Sequence, residues 1–128
     1  MFGGGPFSIM SSEMTHMSLL IIDDSARMRD TIRSLLSGRE YDVAEACDGL
    51  AGVAAFDLTR PDYVLMDVSM PRLDGITATK RIRVLDPKAK VIVVTDYRDE
   101  ELRNAAAAAG AIDYVTKDDL FRLLEILP

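Results

Sequence analysis

Four apolar residues, Tyr63-Val64-Leu65-Met66, run directly into a carboxylate, Asp67. A charge at the end of a core strand is costly unless something pairs with it. Candidate partners close three other apolar runs: Asp23 and Asp24 after "SLLII", Thr95 ending "KVIVVT", and Lys117 after "AIDYVT". Each has an ordinary use when taken alone. Asp24 or Ser25 can cap a helix, Asp67 can open a turn, and Thr95 suits a strand. Lys117 can be a solvated surface cation. Together they describe a chemistry. Three carboxylates on one rim repel each other and raise one another's pKa. A divalent cation removes that cost, and oxygen ligands select Mg²⁺ or a similarly hard metal. Mg²⁺ commonly adds phosphate oxygens to one or two carboxylates, so a phosphoryl group is the expected missing ligand. The Thr95 hydroxyl and the Lys117 ammonium suit its equatorial oxygens. No Gly-rich phosphate loop is present, so the pattern is not that of a nucleotide site. A carboxylate nucleophile forming an aspartyl phosphate fits best, with Asp67 as acceptor.

Such a constellation needs elements that deliver each residue to one edge. From Ser18 the chain alternates short apolar runs with helical periods. "SLLII" has the length of a buried strand. Met28, Ile32, Leu35 and Leu36 then fall on one helical face, which Gly38 is expected to close. "YDVAEA" alternates as a strand, and "LAGVAAFDL" reads as a helix ended before Pro61. "YVLM" is the third strand. Ile76, Ala78, Ile82 and Leu85 mark a third helix, stopped by Asp86-Pro87. "KVIVVT" is a buried strand, "DEELRNAAAAAG" a helix with a Gly stop, and "AIDYVT" a fifth strand. "DDLFRLLEIL" is expected to close the fold as an amphipathic helix with aspartates at its positive end. Five strands alternating with five helices predict an α/β fold with a parallel sheet and right-handed crossovers. Ligands in such sheets sit beyond the carboxyl ends of the strands, where these five residues collect.

The 128 residues allow one core. A net charge of −6 and a pI of about 4.7 leave no basic stripe for nucleic acid or an anionic membrane. No apolar run approaches the roughly 20 residues of a membrane span. The lone Cys47 excludes an internal disulfide and fits a reducing, cytoplasmic compartment. Residues 1–17 hold three of the eight Gly, four of the seven Met and the only His, with no helical or strand period. They read as a flexible extension, and His16 as inert, since no partner ligand lies near it in sequence. The domain proper is read as 18–128.

The pieces "LLIIDDSARMR", "YVLMDVSMPRLDG", "VIVVTDY" and "AIDYVTK" stand in the order of the receiver domain of two-component response regulators, which residues 18–127 resemble. The resemblance implies a flavodoxin-like, doubly wound sheet of strand order 2-1-3-4-5. It implies Asp67 as the phosphorylated residue and Asp24 and Asp67 as direct Mg²⁺ ligands. Ser69 would add its backbone carbonyl, and Asp23 would act largely through water. Thr95 and Lys117 would contact the phosphoryl oxygens, and Tyr114 occupies the aromatic switch position. The donor would be a phosphohistidine on a sensor histidine kinase or phosphotransfer protein. Such a domain catalyses its own phosphorylation and dephosphorylation and turns over no separate substrate.

One departure concerns the lysine. The family often has a proline after it, joined by a cis bond, where this chain has Asp118. A cis bond before a non-proline residue costs about 2.5–4 kcal/mol, so Lys117–Asp118 is expected to be trans. "KDD" resembles receivers attached to helix-turn-helix DNA-binding domains, and both a free-standing receiver and a piece of a longer regulator fit these residues. A flavodoxin-like electron carrier would need a Ser/Thr/Gly-rich loop where Asp-Asp-Ser stands. A phosphatase of the haloacid-dehalogenase type would need Asp-x-Asp after the first strand, which is absent. Asp99, Glu100, Glu101 and Arg103 on the fourth helix, with Asp119, Arg122 and Glu125 on the fifth, give a mixed-charge surface around the fifth strand. Such a surface suits partner docking or a homodimer whose register the charges set.

Overall fold

The computed structural model of the protein describes residues 16–128, so the expectation for residues 1–15 lies outside the described residues. Five parallel strands form one sheet in the order β2-β1-β3-β4-β5. They are β1 (Met17–Ile22), β2 (Tyr41–Ala46), β3 (Tyr63–Met66), β4 (Val91–Thr95) and β5 (Asp113–Thr116). Helices α1 (Ala26–Leu35), α2 (Gly49–Thr59), α3 (Gly75–Leu85) and α4 (Glu100–Ala109) connect them. The strand order is the doubly wound one expected, and Met17 extends β1 one residue before Ser18 through its register with Tyr41.

Strand side chains alternate between faces, and this period divides the core. Leu19, Ile21, Leu65, Ile92, Val94 and Val115 point to one side, where Ile32 and Leu36 of the first helical segment cover them. Leu20, Ile22, Val64, Met66 and Val91 point to the other, against Phe56 of α2 and Ala78 and Ile82 of α3. Val93 and Tyr114 continue that second side under Ala106 of α4. With both faces covered, β3 and β4 read as unbroken apolar runs, as parallel strands do.

Each of the four helices α1 to α4 begins with a side-chain cap. Ser25 accepts from the Met28 N–H, Asp48 from Ala51, Asp74 from Ile76 and Thr77, and Asp99 from Glu101 and Leu102. Gly110, at φ 105°, closes α4 in the left-handed region as its sequence suggested. Gly38 does not close α1. That helix ends on Leu36 in an ordinary conformation, with the Leu36 N–H donating to the Ile32 carbonyl and the Ser37 N–H to the Ser34 carbonyl. Leu85 is also more exposed than its period suggested, because the buried face of α3 runs through Gly75, Ala78, Thr79 and Ile82.

The closing segment departs most from expectation. Lys117–Arg122 forms a 3₁₀ helix, and only α5 (Leu123–Ile126) is α-helical. Asp119 breaks the path at φ −133°, ψ 42°. The aspartates do not cap a helix here. The Asp118 carboxylate accepts from the Thr116 hydroxyl and from Arg98, and the Arg122 guanidinium folds back to donate to the Tyr114 carbonyl at 2.9 Å. Leu123 and Leu127 still reach the core. No described peptide bond is cis, and Lys117–Asp118 is trans as expected.

Gly75 sets how closely α3 approaches β3. A Cβ there would lie 1.9 Å from the Asp67 carbonyl oxygen, so any side chain must push the helix from the strand end. Gly75→Ala is expected to lower unfolding free energy by about 1–3 kcal/mol. Gly38→Ala is the control, because a Cβ at Gly38 meets nothing within 4 Å. Denaturant titration of both variants checks this, and equal midpoints would count against the close approach.

Candidate phosphoacceptor site

The central strands extend one residue past their ends to place the acids. The Asp23 N–H donates to the Ala46 carbonyl and the Asp67 N–H to the Ile22 carbonyl, so the sheet ladder itself fixes both backbones. Asp23 and Asp67 are buried, at 2% and 5% exposure, whereas Asp24 beside them is exposed. One carboxylate oxygen from each of the three lies within 4.8 Å of the others. Lys117 reaches across from the end of β5. Its Nζ stands 3.0 Å from Asp23 Oδ2 and 3.2 Å from Asp67 Oδ1, with little of the side chain exposed.

The remaining oxygens are unequally engaged. Asp23 Oδ1 accepts from the Ser25 N–H at 2.9 Å, and Asp67 Oδ1 accepts from the Val68 N–H at 2.9 Å. Among the described residues no hydrogen bond reaches Asp67 Oδ2. Thr95 is buried at the end of β4, on the same rim, and its Oγ1 accepts from the Tyr97 N–H at 3.3 Å. Ser69 is exposed in the loop after Asp67, a loop that the Gly75 N–H closes by donating to the Val68 carbonyl. Lys117 is thus in contact with Asp23 and Asp67, Asp24 stands beside them, Thr95 closes the neighbouring strand β4, and Ser69 lies on the loop after Asp67.

Tyr114 is buried on the α4 side of the sheet, the side to which alternation also assigns Val93 and Thr95. Its hydroxyl donates to the Tyr97 carbonyl at 2.5 Å, and Arg103 lies 4.7 Å over its ring. The Tyr97 backbone therefore joins Thr95 to Tyr114, its N–H on one hydroxyl and its C=O on the other. Sequence could not show this, because a backbone link carries no residue signature. Two of the charges expected on the surface are engaged internally: Asp99 caps α4, and Arg122 pairs with Asp113. A polar groove of about 270 Å³ lined by Arg98, Arg103, Tyr114 and Asp119 remains beside them. His16, expected to be inert, stands 3.4 Å from Glu40 at the start of the sheet, far in the fold from the carboxyl rim.

Charge balance defines what the rim can take. Two buried carboxylates share one ammonium, and the exposed Asp24 adds a third negative charge. An all-oxygen donor set with surplus negative charge fits Mg²⁺. Burial, then the Asp23 charge, pushes the Asp67 carboxyl up to about 6 against the opposing pull of Lys117. Burial works to lower the Lys117 ammonium, but the hydrogen bond to Asp23 and the field of Asp67 hold it above its ordinary value. Because the folded Asp67 value lies above the ordinary 3.8, its contribution to stability is present below that value and lost as pH rises through about 6. In metal-free buffer at pH 7.5, Asp67→Asn is expected to be more stable than wild type by about 1–2 kcal/mol, a gap that closes toward pH 4. Denaturant midpoints across that range test it, and a destabilised variant at pH 7.5 would contradict the stated electrostatics.

The model of the response regulator receiver domain matches residues 19–127. Chemotaxis protein CheY of Listeria monocytogenes is 36% identical over 113 residues, 87% of this chain and 95% of that protein. The crystal structure of a CheY-like receiver domain protein from Methanospirillum hungatei superposes with a TM-score of 0.82 at 27% identity, over 88% of this chain and 91% of that one. The CheX–CheY complex of Borrelia burgdorferi, determined with BeF3 and Mg²⁺, gives a TM-score of 0.81 at 26% identity, over 85% and 84%. The family match extends from the first fully packed leucine of β1 to the buried Leu127, and this chain belongs to the response regulator receiver domains.

Proposed function

We propose that the chain is a phosphoacceptor that takes a phosphoryl group onto Asp67 in a Mg²⁺-dependent reaction and switches a partner-binding surface. The observation that carries this reading is the Lys117 ammonium held between Asp23 and Asp67, with Asp24 at the same rim. Asp23, Asp24 and Asp67 would hold Mg²⁺ together with the Ser69 carbonyl, Asp23 largely through water. When bound, the metal neutralises the carboxylates and the phosphoryl oxygens, so that one anion can approach another.

Asp67 Oδ1 is anchored by Val68 and Lys117, which leaves Oδ2 as the attacking oxygen. It forms the new bond to phosphorus as the bond from phosphorus to the donor's leaving group breaks. Lys117 stays charged and takes one equatorial oxygen, and the Thr95 hydroxyl donates to another. The donor is a phosphohistidine on a histidine kinase or phosphotransfer protein, and small acyl phosphates serve the same chemistry. Water later hydrolyses the acyl phosphate in place. The setting is the cytoplasm, where such kinases present their phosphohistidine. Among the described residues no helix is long and apolar enough to cross a membrane.

The switch follows the hydroxyl. As Thr95 turns toward the phosphoryl group it draws on the Tyr97 N–H, and the Tyr97 carbonyl carries the strain to Tyr114. The buried ring is one of two positions between which phosphorylation shifts a pre-existing equilibrium. The α4–β5–α5 face, with its groove beside Tyr114, is the surface that changes for a partner or a second copy of the chain.

Acetyl phosphate with Mg²⁺ is expected to add one phosphoryl group by intact mass, and Asp67→Asn to add none. Unchanged labelling in that variant would remove Asp67 from the role. Beryllofluoride, a phosphoryl mimic, is expected to change amide exchange across residues 95–118, with the change weakened at least severalfold in Thr95→Ala. Changes confined to the loop after Asp67 would mean that Thr95 and Tyr114 are not coupled.

A further inference from the structure

Lys117 must present its ammonium to two carboxylates from a loop that lacks a proline to stiffen it. Asp118 follows it through a trans peptide, and both Asp118 oxygens are engaged. Oδ1 accepts from the Thr116 hydroxyl at 2.6 Å, and Oδ2 accepts from Arg98 Nη2 at 2.7 Å. Arg98 lies three residues beyond Thr95, and Thr95 is the sheet neighbour of Thr116. The two loops therefore form a closed ring. Strand pairing joins them at the base, and the Arg98–Asp118 pair joins them above it. Lys117 sits inside that ring, with its backbone held on either side by Thr116 and Asp118.

We propose that Asp118 is a positioning residue for phosphoryl transfer, tying the loop that bears Lys117 to the loop that bears Thr95 through Arg98. The inference rests on the reading of Asp67 as phosphoacceptor. The two groups meant for the phosphoryl oxygens then move as one unit, so a donor meets them already spaced. The Thr116 hydroxyl and Arg98 hold the Asp118 carboxyl below the usual carboxylate range, which keeps it charged at working pH. Both partners of the ion pair are exposed, at 72% and 61% of their side chains. Exposed pairs contribute little to global stability. Small displacements of a group that touches the reacting atoms, by contrast, cost rate steeply. Position and stability should therefore separate by experiment. The Arg98–Asp118 contact is one that salt can weaken.

The test uses the full chain with acetyl phosphate, comparing wild type with Asp118→Asn, Arg98→Gln and the double variant. Labelling of wild type at Asp67 is expected, with the saturating rate about three- to tenfold lower in each single variant. The double variant should be no slower than either single one, since both break the same contact. The Mg²⁺ concentration for half-maximal rate should stay at the wild-type value, because Asp23, Asp24 and Asp67 are untouched. Thermal midpoints should also stay close to wild type. In 1 M NaCl the wild-type advantage should collapse, while the variants keep their ratio to one another. Single variants that label at the wild-type rate would overturn the inference. So would losses that multiply in the double variant, or a half-saturating Mg²⁺ that moves with the rate. A wild-type chain that takes no label at Asp67 overturns both this inference and the acceptor reading, whereas labelled wild type with unslowed variants overturns only this one.

Discussion

One ammonium between two buried carboxylates organises this end of the molecule. Lys117 arrives from β5, Asp23 from β1 and Asp67 from β3, so the contact exists only if three strands keep their register. The central ladder provides this, with Ile22 opposite Met66 and its carbonyl accepting the Asp67 N–H. The contact is also incomplete by design of charge. One cation cannot balance Asp23 and Asp67 together, and Asp24 adds to the surplus. The site is therefore under an electrostatic load of the kind that a hard dication would relieve. The raised Asp67 value is the trace of that load in the protein alone.

Rigid and responsive parts are divided along the strand axis. Below the rim, apolar side chains of β1, β3 and β4 pack on both faces of the sheet. Above it, two contacts join loops beside the acceptor. The Tyr97 backbone links Thr95 to Tyr114, and Arg98 links the same loop to Asp118. In the proposed switch, a change in charge at Asp67 would have two short paths outward, one into the buried ring and one across the rim. Both end at the groove shared by Arg98 and Tyr114. Packed cores settle into discrete arrangements rather than deforming smoothly, so the proposed switch would be two-state and not graded.

Much of this was legible in the sequence, for identifiable reasons. The strands are legible because burial on both faces demands apolar runs, and Ser25 is legible as a cap because it follows one of them; the caps Asp48, Asp74 and Asp99 emerge only from the hydrogen bonds that they accept. The acids and Lys117 were found because a parallel sheet collects its strand ends on one rim. The closing helix was misjudged. The pattern of leucines is helical, but Asp118 and Arg122 satisfy other partners, and the path breaks at Asp119. Gly38 and Leu85 stand at helix ends, where period is the weakest guide. The role of Gly75 depends on a 1.9 Å approach to the Asp67 carbonyl, and that of Tyr97 on its backbone. Neither leaves a mark in residue type.

Chemical trapping of the acceptor tests the central claim most directly. After acetyl phosphate and Mg²⁺, borohydride reduces an aspartyl phosphate to homoserine, and peptide sequencing by mass spectrometry locates it. Homoserine is expected at position 67 alone, dependent on Mg²⁺. Homoserine at Asp23 or Asp24 instead, or phosphate retained on His16 with position 67 unmodified, would contradict it.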